Sequence, residues 1–360
     1  MNTRAICPFQ PQNKADYLDL LRETVTWPGV REVQLNDEGM LDLYFQVGCY
    51  CDYCRGQFEL LTGSPPPEAL IDPDDQLWWR WMEFRMDSWT ALHTELRAEL
   101  KKLRPDVQVG IQHSVKWAGF AENPWRGGIS LARDAQTLDM LATNPYPFRN
   151  FNVMPYRPHR RILTEGSRAL AGVCLDTHFN MLPQAYMPSI KTTPMGRQDG
   201  LLAGLIPFAM GADTVTPYNY ELMKIIPGFT EGFVDTLRLQ PYFESGKPYF
   251  FSTAIQPHQS EVRGHPESKW GNSCLTQFSD VMFHTGMGWR WFWDQRLEDA
   301  ADQLHGPLVM PDVHCLTEQQ LDAVQQVARR GEGVLWIRQH APRTLVWARR
   351  LSTTEPVRAG

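Results

Sequence analysis

The sequence predicts an α/β fold assembled from parallel βαβ units. Two observations carry this. Short apolar runs of strand length alternate with longer helical patterns. Polar and aromatic residues then gather directly after those runs: Asn36-Asp37-Glu38, His113, Asn144-Pro145-Tyr146, Asp176-Thr177-His178 and Tyr218-Asn219-Tyr220-Glu221. In a (β/α)8 barrel all such strand ends share one face, and active sites are built there.

Taken in order, residues 13–27 read as a helix and 30–35 as a strand. A proline-rich loop at 63–75 precedes a long helix from Gln76 to Leu103, stopped by Arg104-Pro105. Residues 107–114 read as a strand, 138–147 as a strand with its loop, and 159–170 as a helix. The apolar run 171–179 is expected to be a strand that delivers Asp176 to its mouth. Residues 196–212 read as a buried helix and 213–221 as the next strand. The pattern shifts at 229–246 and restarts with "KPYFFSTAI". It closes with a strand, a capped amphipathic helix and a second strand over 306–337, the cap being Thr317 with Gln320 three residues on. The division expected is 1–240 and 241–360.

The chain has 360 residues, a net charge of −6 and no basic run, which argues against a nucleic-acid partner. No apolar run reaches the roughly 20 residues that cross a bilayer. Residues 1–10 have no apolar core of the signal-peptide kind, so the expected location is the cytoplasm. Thirteen tryptophans and eleven tyrosines offer flat apolar faces with polar edges, which suit sugar rings, although large α/β enzymes are often aromatic-rich.

The seven cysteines are an odd count, and most lie far apart, so a disulfide framework is disfavoured. Cys51 and Cys54 form a CxxC pair, and Cys49 adds a third thiol that a dithiol switch does not use. A tetrahedral Zn2+ site does use it, with Cys7 as the fourth ligand, and closed four-cysteine sites are structural. The competing reading is a set of reduced, partly buried thiols.

Glu38 follows an apolar strand and sits beside Asn36 and Asp37. A carboxylic acid there suits general acid chemistry, since an apolar surround raises its pKa. Glycoside hydrolysis needs a second carboxylate from another strand end. Asp176 is the first candidate, with Glu221 and Glu165 as competitors. His113 and His178 are candidate pocket hydrogen-bond donors, and Trp117, Trp125 and Tyr146 candidate stacking partners for a sugar.

The order "ICPF", "QLNDE", "CYCDYC" resembles glycoside hydrolase family 42, the β-galactosidase family with a (β/α)8 catalytic domain. The resemblance implies that Cys7, Cys49, Cys51 and Cys54 bind structural zinc and that Glu38 is the acid/base. It places the nucleophile on the seventh strand, at the position read as Asp176, before "TTPMGRQDGLLAGLIPFAMGADTV". Asp37 stands where the family has Asn, which changes a donor into an acceptor. The segment 309–336 resembles the family's flavodoxin-like second domain, which implies a homotrimer. On this alignment the chain begins near the third strand of the barrel and stops within the second domain. The function implied is a retaining glycosidase for β-linked galactosides or related sugars, needing no cofactor for hydrolysis. The alternatives are an inactive carbohydrate-binding or structural relative on a decayed barrel and, more remotely, a thiol-redox protein.

Overall fold

A computed structural model of the chain describes residues 7–36, 49–67, 76–113, 128–143, 159–183, 196–217, 223–224, 226–244, 246, 248–258, 260, 274–299, 301–313 and 315–337. Two parallel sheets organise it. The first has five strands in sequential order: β1 Glu32–Asn36, β2 Gln108–Gln112, β3 Met140–Thr143, β4 His178–Met181 and β5 Thr214–Val215. The helices between or before them are α1 Pro11–Thr26, α2 Asp52–Thr62, α3 Gln76–Leu103, α4 Leu131–Thr137, α5 His159–Ala171 and α6 Arg197–Ala209. The second sheet has β6 Ser252–Gln256, β7 Trp289–Trp293, β8 Leu308–Pro311 and β9 Val334–Ile337 in the order β7-β6-β8-β9. Helices α7 Phe229–Leu239, α8 Cys274–Thr285 and α9 Glu318–Arg329 complete the main elements, and α9 carries the expected Thr317/Gln320 capping box.

Period-two alternation decides which face of the first sheet is covered. Val33 and Leu35, Val109 and Ile111, Leu141, Phe179 and Met181 are buried in one core. That core also holds Leu18, Leu21 and Val25 of α1 and Leu92, Leu96 and Leu100 of α3. The alternate residues, including Gln34, Gly110, Gln112, Met140 and Asn180, therefore lie on the sheet's other face. Strands fed by helices on one side and amides on the other are what a site-bearing parallel sheet requires.

The same core runs on into the second sheet through Trp289, Trp291, Trp293, Ala254 and Val309. The junction is specific. Trp293 Nε1 donates to the Ala169 carbonyl at 2.9 Å, and Trp291 Nε1 donates to Glu165 at 3.3 Å. A Cβ on Gly172 would overlap the Trp291 backbone, so only glycine lets α5 end against β7.

That junction corrects the expected strand at 171–179. Helix α5 runs to Ala171, and a turn follows, closed by Cys174 N donating to Leu170 O at 2.9 Å. The run Val173-Cys174 is apolar because it is buried where α5 meets the second sheet, and β4 begins only at His178. Arg296 fixes the turn by donating to the Val173 carbonyl at 2.9 Å. Among the described residues, no helix is long and apolar enough to cross a membrane.

Candidate functional site

Because the first sheet is parallel, all its strand carboxyl ends lie along one rim. Helix α1 leads directly into β1 and must run antiparallel to it. Its N-terminal end, preceded by Cys7, therefore returns to the carboxyl rim. Helix α3 leads into β2 in the same way and brings Trp78, Trp81, Met82 and Arg85 to that rim. Cys49 and Cys51 lie just before α2, Cys51 is its N-cap, and Cys54 is in its first turn.

These three chain segments meet in a buried cluster of Cys7, Cys54, Phe58, Trp78, Trp81 and Met82. The Sγ atoms of Cys7, Cys49, Cys51 and Cys54 all lie within 4.8 Å of one another, and Cys7 and Cys54 are 3.5 Å apart. Tetrahedral ligation at about 2.3 Å needs sulfurs roughly 3.8 Å apart, so the donor set fits a four-thiolate metal centre. None of the four forms a disulfide. Hydrogen bonds from Cys54 and Cys7 pull the Cys49 thiol far below its usual range. The bond to Cys49, together with burial, pushes Cys7 up to about 11, and Cys54 is raised for the same reasons. Thiols this close can all ionise only around a cation.

The rim also carries amides. The strands register as Asn36 with Gln112, Gln112 with Ala142, and Ala142 with Asn180. Gln112 and Asn180 are buried. Asn180 Nδ2 donates to Thr216 Oγ1 at 3.1 Å, while its Oδ1 is buried without a hydrogen-bond partner. Gln34 Nε2, one pleat below on β1, is likewise buried and unpartnered. Buried amide atoms left open near a strand mouth are suited to sugar hydroxyls, which both donate and accept.

The expected site residues separate by position. Asn36 is the last residue of β1, at the rim. Asp37, Glu38, Trp117 and Tyr146 lie outside the described residues, as do Trp125 and Glu221. His113 does follow β2, but its imidazole turns into the helix layer: Nε2 is 2.8 Å from Asp134 Oδ2, and Asp134 Oδ1 is 2.7 Å from His93 Nδ1. All three are buried, and the Nε2 side of the His113 ring is committed to Asp134. Burial opposes the Asp134 charge, but the two imidazoles more than offset it and hold the carboxyl well below its usual range.

Asp176 and His178 are corrected outright. Asp176 precedes β4, so it lies at the sheet's amino end, opposite the rim that carries Asn36. Its side chain is 77% exposed and faces Arg296 at 3.9 Å. His178 is the first residue of β4 and pairs with Asp213 at 3.2 Å. Neither reaches the strand mouth. Glu165 is buried at the junction with β7, between Arg168 and Trp291. Asn180 is the residue that sequence reasoning misses. Its signal is a lone amide flanked by Phe179 and Met181, which alternation sends to the face turned away from the helices.

Neither a protein-family model nor a curated protein matches the sequence. Solved structures do match it. The β-galactosidase of Bacillus circulans sp. alkalophilus aligns with a TM-score of 0.68 at 14% identity, covering 92% of this chain and 55% of its own. That of the Antarctic haloarchaeon Halorubrum lacusprofundi gives 0.68 at 15% identity, covering 95% and 58%. A catalytic mutant of Gan42B, a family 42 β-galactosidase from G. stearothermophilus, gives 0.70 at 10% identity, covering 92% and 55%. The fold is that of the family 42 β-galactosidases. An α-L-fucosidase from Paenibacillus thiaminolyticus shares it more loosely, at a TM-score of 0.58 and 14% identity. The chain spans little more than half the length of the β-galactosidase structures it matches.

Proposed function

We propose that this chain acts on carbohydrate as a glycoside hydrolase for β-linked galactosides or related sugars. The observation that carries the reading is the buried amide row at the carboxyl rim of a β-galactosidase-type sheet, with Gln112 and Asn180 in register. Glu38, two residues beyond β1, is the proposed acid/base. It protonates the departing glycosidic oxygen and later takes a proton from water. Asp176 is excluded by its place at the amino end, so the second carboxylate must follow another strand mouth. Glu221, six residues beyond β5, is the candidate in the sequence. As nucleophile it would attack the anomeric carbon, form a glycosyl ester and give retention.

The four cysteines would hold a structural zinc that fixes the start of α1 and α2 at the rim; Zn2+ with four sulfurs has no open position for substrate. Residues 1–240 are taken as the barrel-type unit. Residues 241–360 are taken as a flavodoxin-like unit, whose order β7-β6-β8-β9 has the form of that doubly wound pattern. The resemblance of this unit to the family's second domain implies trimer contacts, so a homotrimer is proposed.

One observation favours a second reading, a sugar-binding relative without hydrolysis. The resemblance puts the nucleophile at the mouth of the seventh strand, and β4 ends here at Met181, followed by Leu182-Pro183, with no carboxylate among them. A panel of nitrophenyl glycosides separates the two. Turnover that disappears in Glu38→Gln and Glu221→Gln, with product of retained configuration, supports the hydrolase. Sugar binding by calorimetry without turnover of any glycoside supports the second reading. Neither binding nor turnover rejects both.

A further inference from the structure

Arg85 presents a charge that the fold does not otherwise explain. It lies in the first half of α3 and is fully buried. Among the described residues no carboxylate pairs with it, and its Nε and Nη2 have no hydrogen-bond partner. Burying a guanidinium this way carries a large desolvation penalty, and buried charges are ordinarily paired. What Arg85 does touch is the thiol cluster: Nη1 points at Cys54 Sγ at 3.9 Å. Its guanidinium is sandwiched by aromatic faces, with the ring of Phe9 5.1 Å away and that of Trp81 5.7 Å away. Gly128 packs against its stem so closely that a Cβ there would come within 2.7 Å of the Arg85 Cβ. The side chain is therefore held in place, with its positive end against sulfur.

Zn2+ bound by four thiolates is a doubly negative centre. Two other features already favour negative charge there. Cys51 caps the positive end of α2, and Gln10 Nε2 points at Cys51 Sγ at 3.9 Å. Neither supplies a full charge, and Arg85 does. We propose that Arg85 is the buried counter-charge of a four-thiolate metal centre, a positioning residue that acts through Cys54 to offset the centre's net negative charge. This rests on reading the cysteine cluster as a metal site. Trp81 and Phe9 exclude water from the pair, which strengthens the attraction between guanidinium and centre.

The test uses the full chain in three forms: unaltered, Arg85→Met and Arg85→Lys. Zinc affinity is measured by competition with a chelating dye. The number of sulfur ligands is read from the sulfur-to-metal charge-transfer bands of the cobalt-substituted protein. Arg85→Met keeps an apolar stem but removes the charge, and is expected to weaken zinc binding by about 10- to 100-fold. Arg85→Lys keeps the charge and is expected to retain most of the affinity. Zinc held by Arg85→Met as tightly as by the unaltered protein would overturn the proposal. Equal weakening in both variants would also overturn it, because it would show that shape and not charge matters. If Arg85→Met does not fold, Arg85→Gln, which also lacks the charge, takes its place: zinc weakened to the same extent supports the counter-charge, and zinc held as tightly as by the unaltered protein refutes it. An unaltered protein that binds neither zinc nor cobalt rejects the metal reading itself, which is a different failure.

Discussion

The two ends of the five-stranded sheet are built on opposite principles. At the amino end, polar groups are paired and wet. Asp139, just before β3, accepts from Val109 N at 3.0 Å and pairs with Arg97 and Lys101 at 2.7 and 2.9 Å. Asp213, just before β5, repeats the device by accepting from Phe179 N at 2.9 Å. At the carboxyl end, polar groups are buried and left open: Gln34 Nε2, Asn180 Oδ1, four clustered thiols and an unpaired guanidinium. Paired exposed charges stabilise a strand start. Open buried groups cost stability and are retained where a ligand completes them. The contrast is the one that the proposed function calls for, with ligand contacts at one rim and strand-start pairing at the other.

The largest expected effect comes from the thiol cluster. Stripping metal with a chelator, or substituting Cys54→Ser, removes the tie between the starts of α1 and α2. A loss of about 3 kcal/mol or more is expected, seen as a fall in Tm of roughly 10 °C by calorimetry. An unchanged Tm would show that the thiols need no ion.

Next is the buried His93–Asp134–His113 knot, which breaks the simple contrast because it lies near the rim yet both Asp134 oxygens are held by imidazoles. Asp134→Asn leaves two imidazoles with an amide and should cost about 3 kcal/mol in urea unfolding. The folded-state pKa of Asp134 is depressed. Its contribution is therefore present above the unfolded carboxylate value, near 4, and is lost as pH falls through the depressed one. The gap between the variant and the unaltered protein should begin to narrow below about pH 4 and close only below the depressed value. A gap that persists undiminished into strong acid would contradict the assignment.

At the amino end effects should be smaller. Asp139→Asn weakens a strand-start bond in a half-wet setting and should cost about 1 kcal/mol. Asp176→Asn, exposed beside Arg296, should change stability by less than about 0.5 kcal/mol. A larger loss from Asp176 than from Asp134 would invert the roles of the two ends.

Much of this was legible in the sequence. The alternation of strands and helices, the Cys7/CxCxxC grouping and the Thr317 cap follow from residue type and spacing, and each has a local cause. What misleads is burial without strand structure. Val173 and Cys174 are apolar because α5 docks on Trp291 and Trp293, a contact more than 100 residues away in the chain that no local pattern encodes. That displaces the start of β4 and carries Asp176 to the amino end. His113 does stand at its strand end, but its orientation depends on Asp134, 21 residues on. Arg85 carries no signal of its own in the helical stretch 76–103, and its burial follows only from the packing of α3 on Phe9 and Gly128.

The central claim is that ligands meet the carboxyl rim and not the amino end, and a single paired measurement tests it: the affinity for a β-galactoside in Asn180→Ala and Asp176→Ala, by isothermal calorimetry. About a tenfold or greater loss is predicted for Asn180→Ala and a change within about twofold for Asp176→Ala. Loss in Asp176→Ala with full affinity in Asn180→Ala would contradict it.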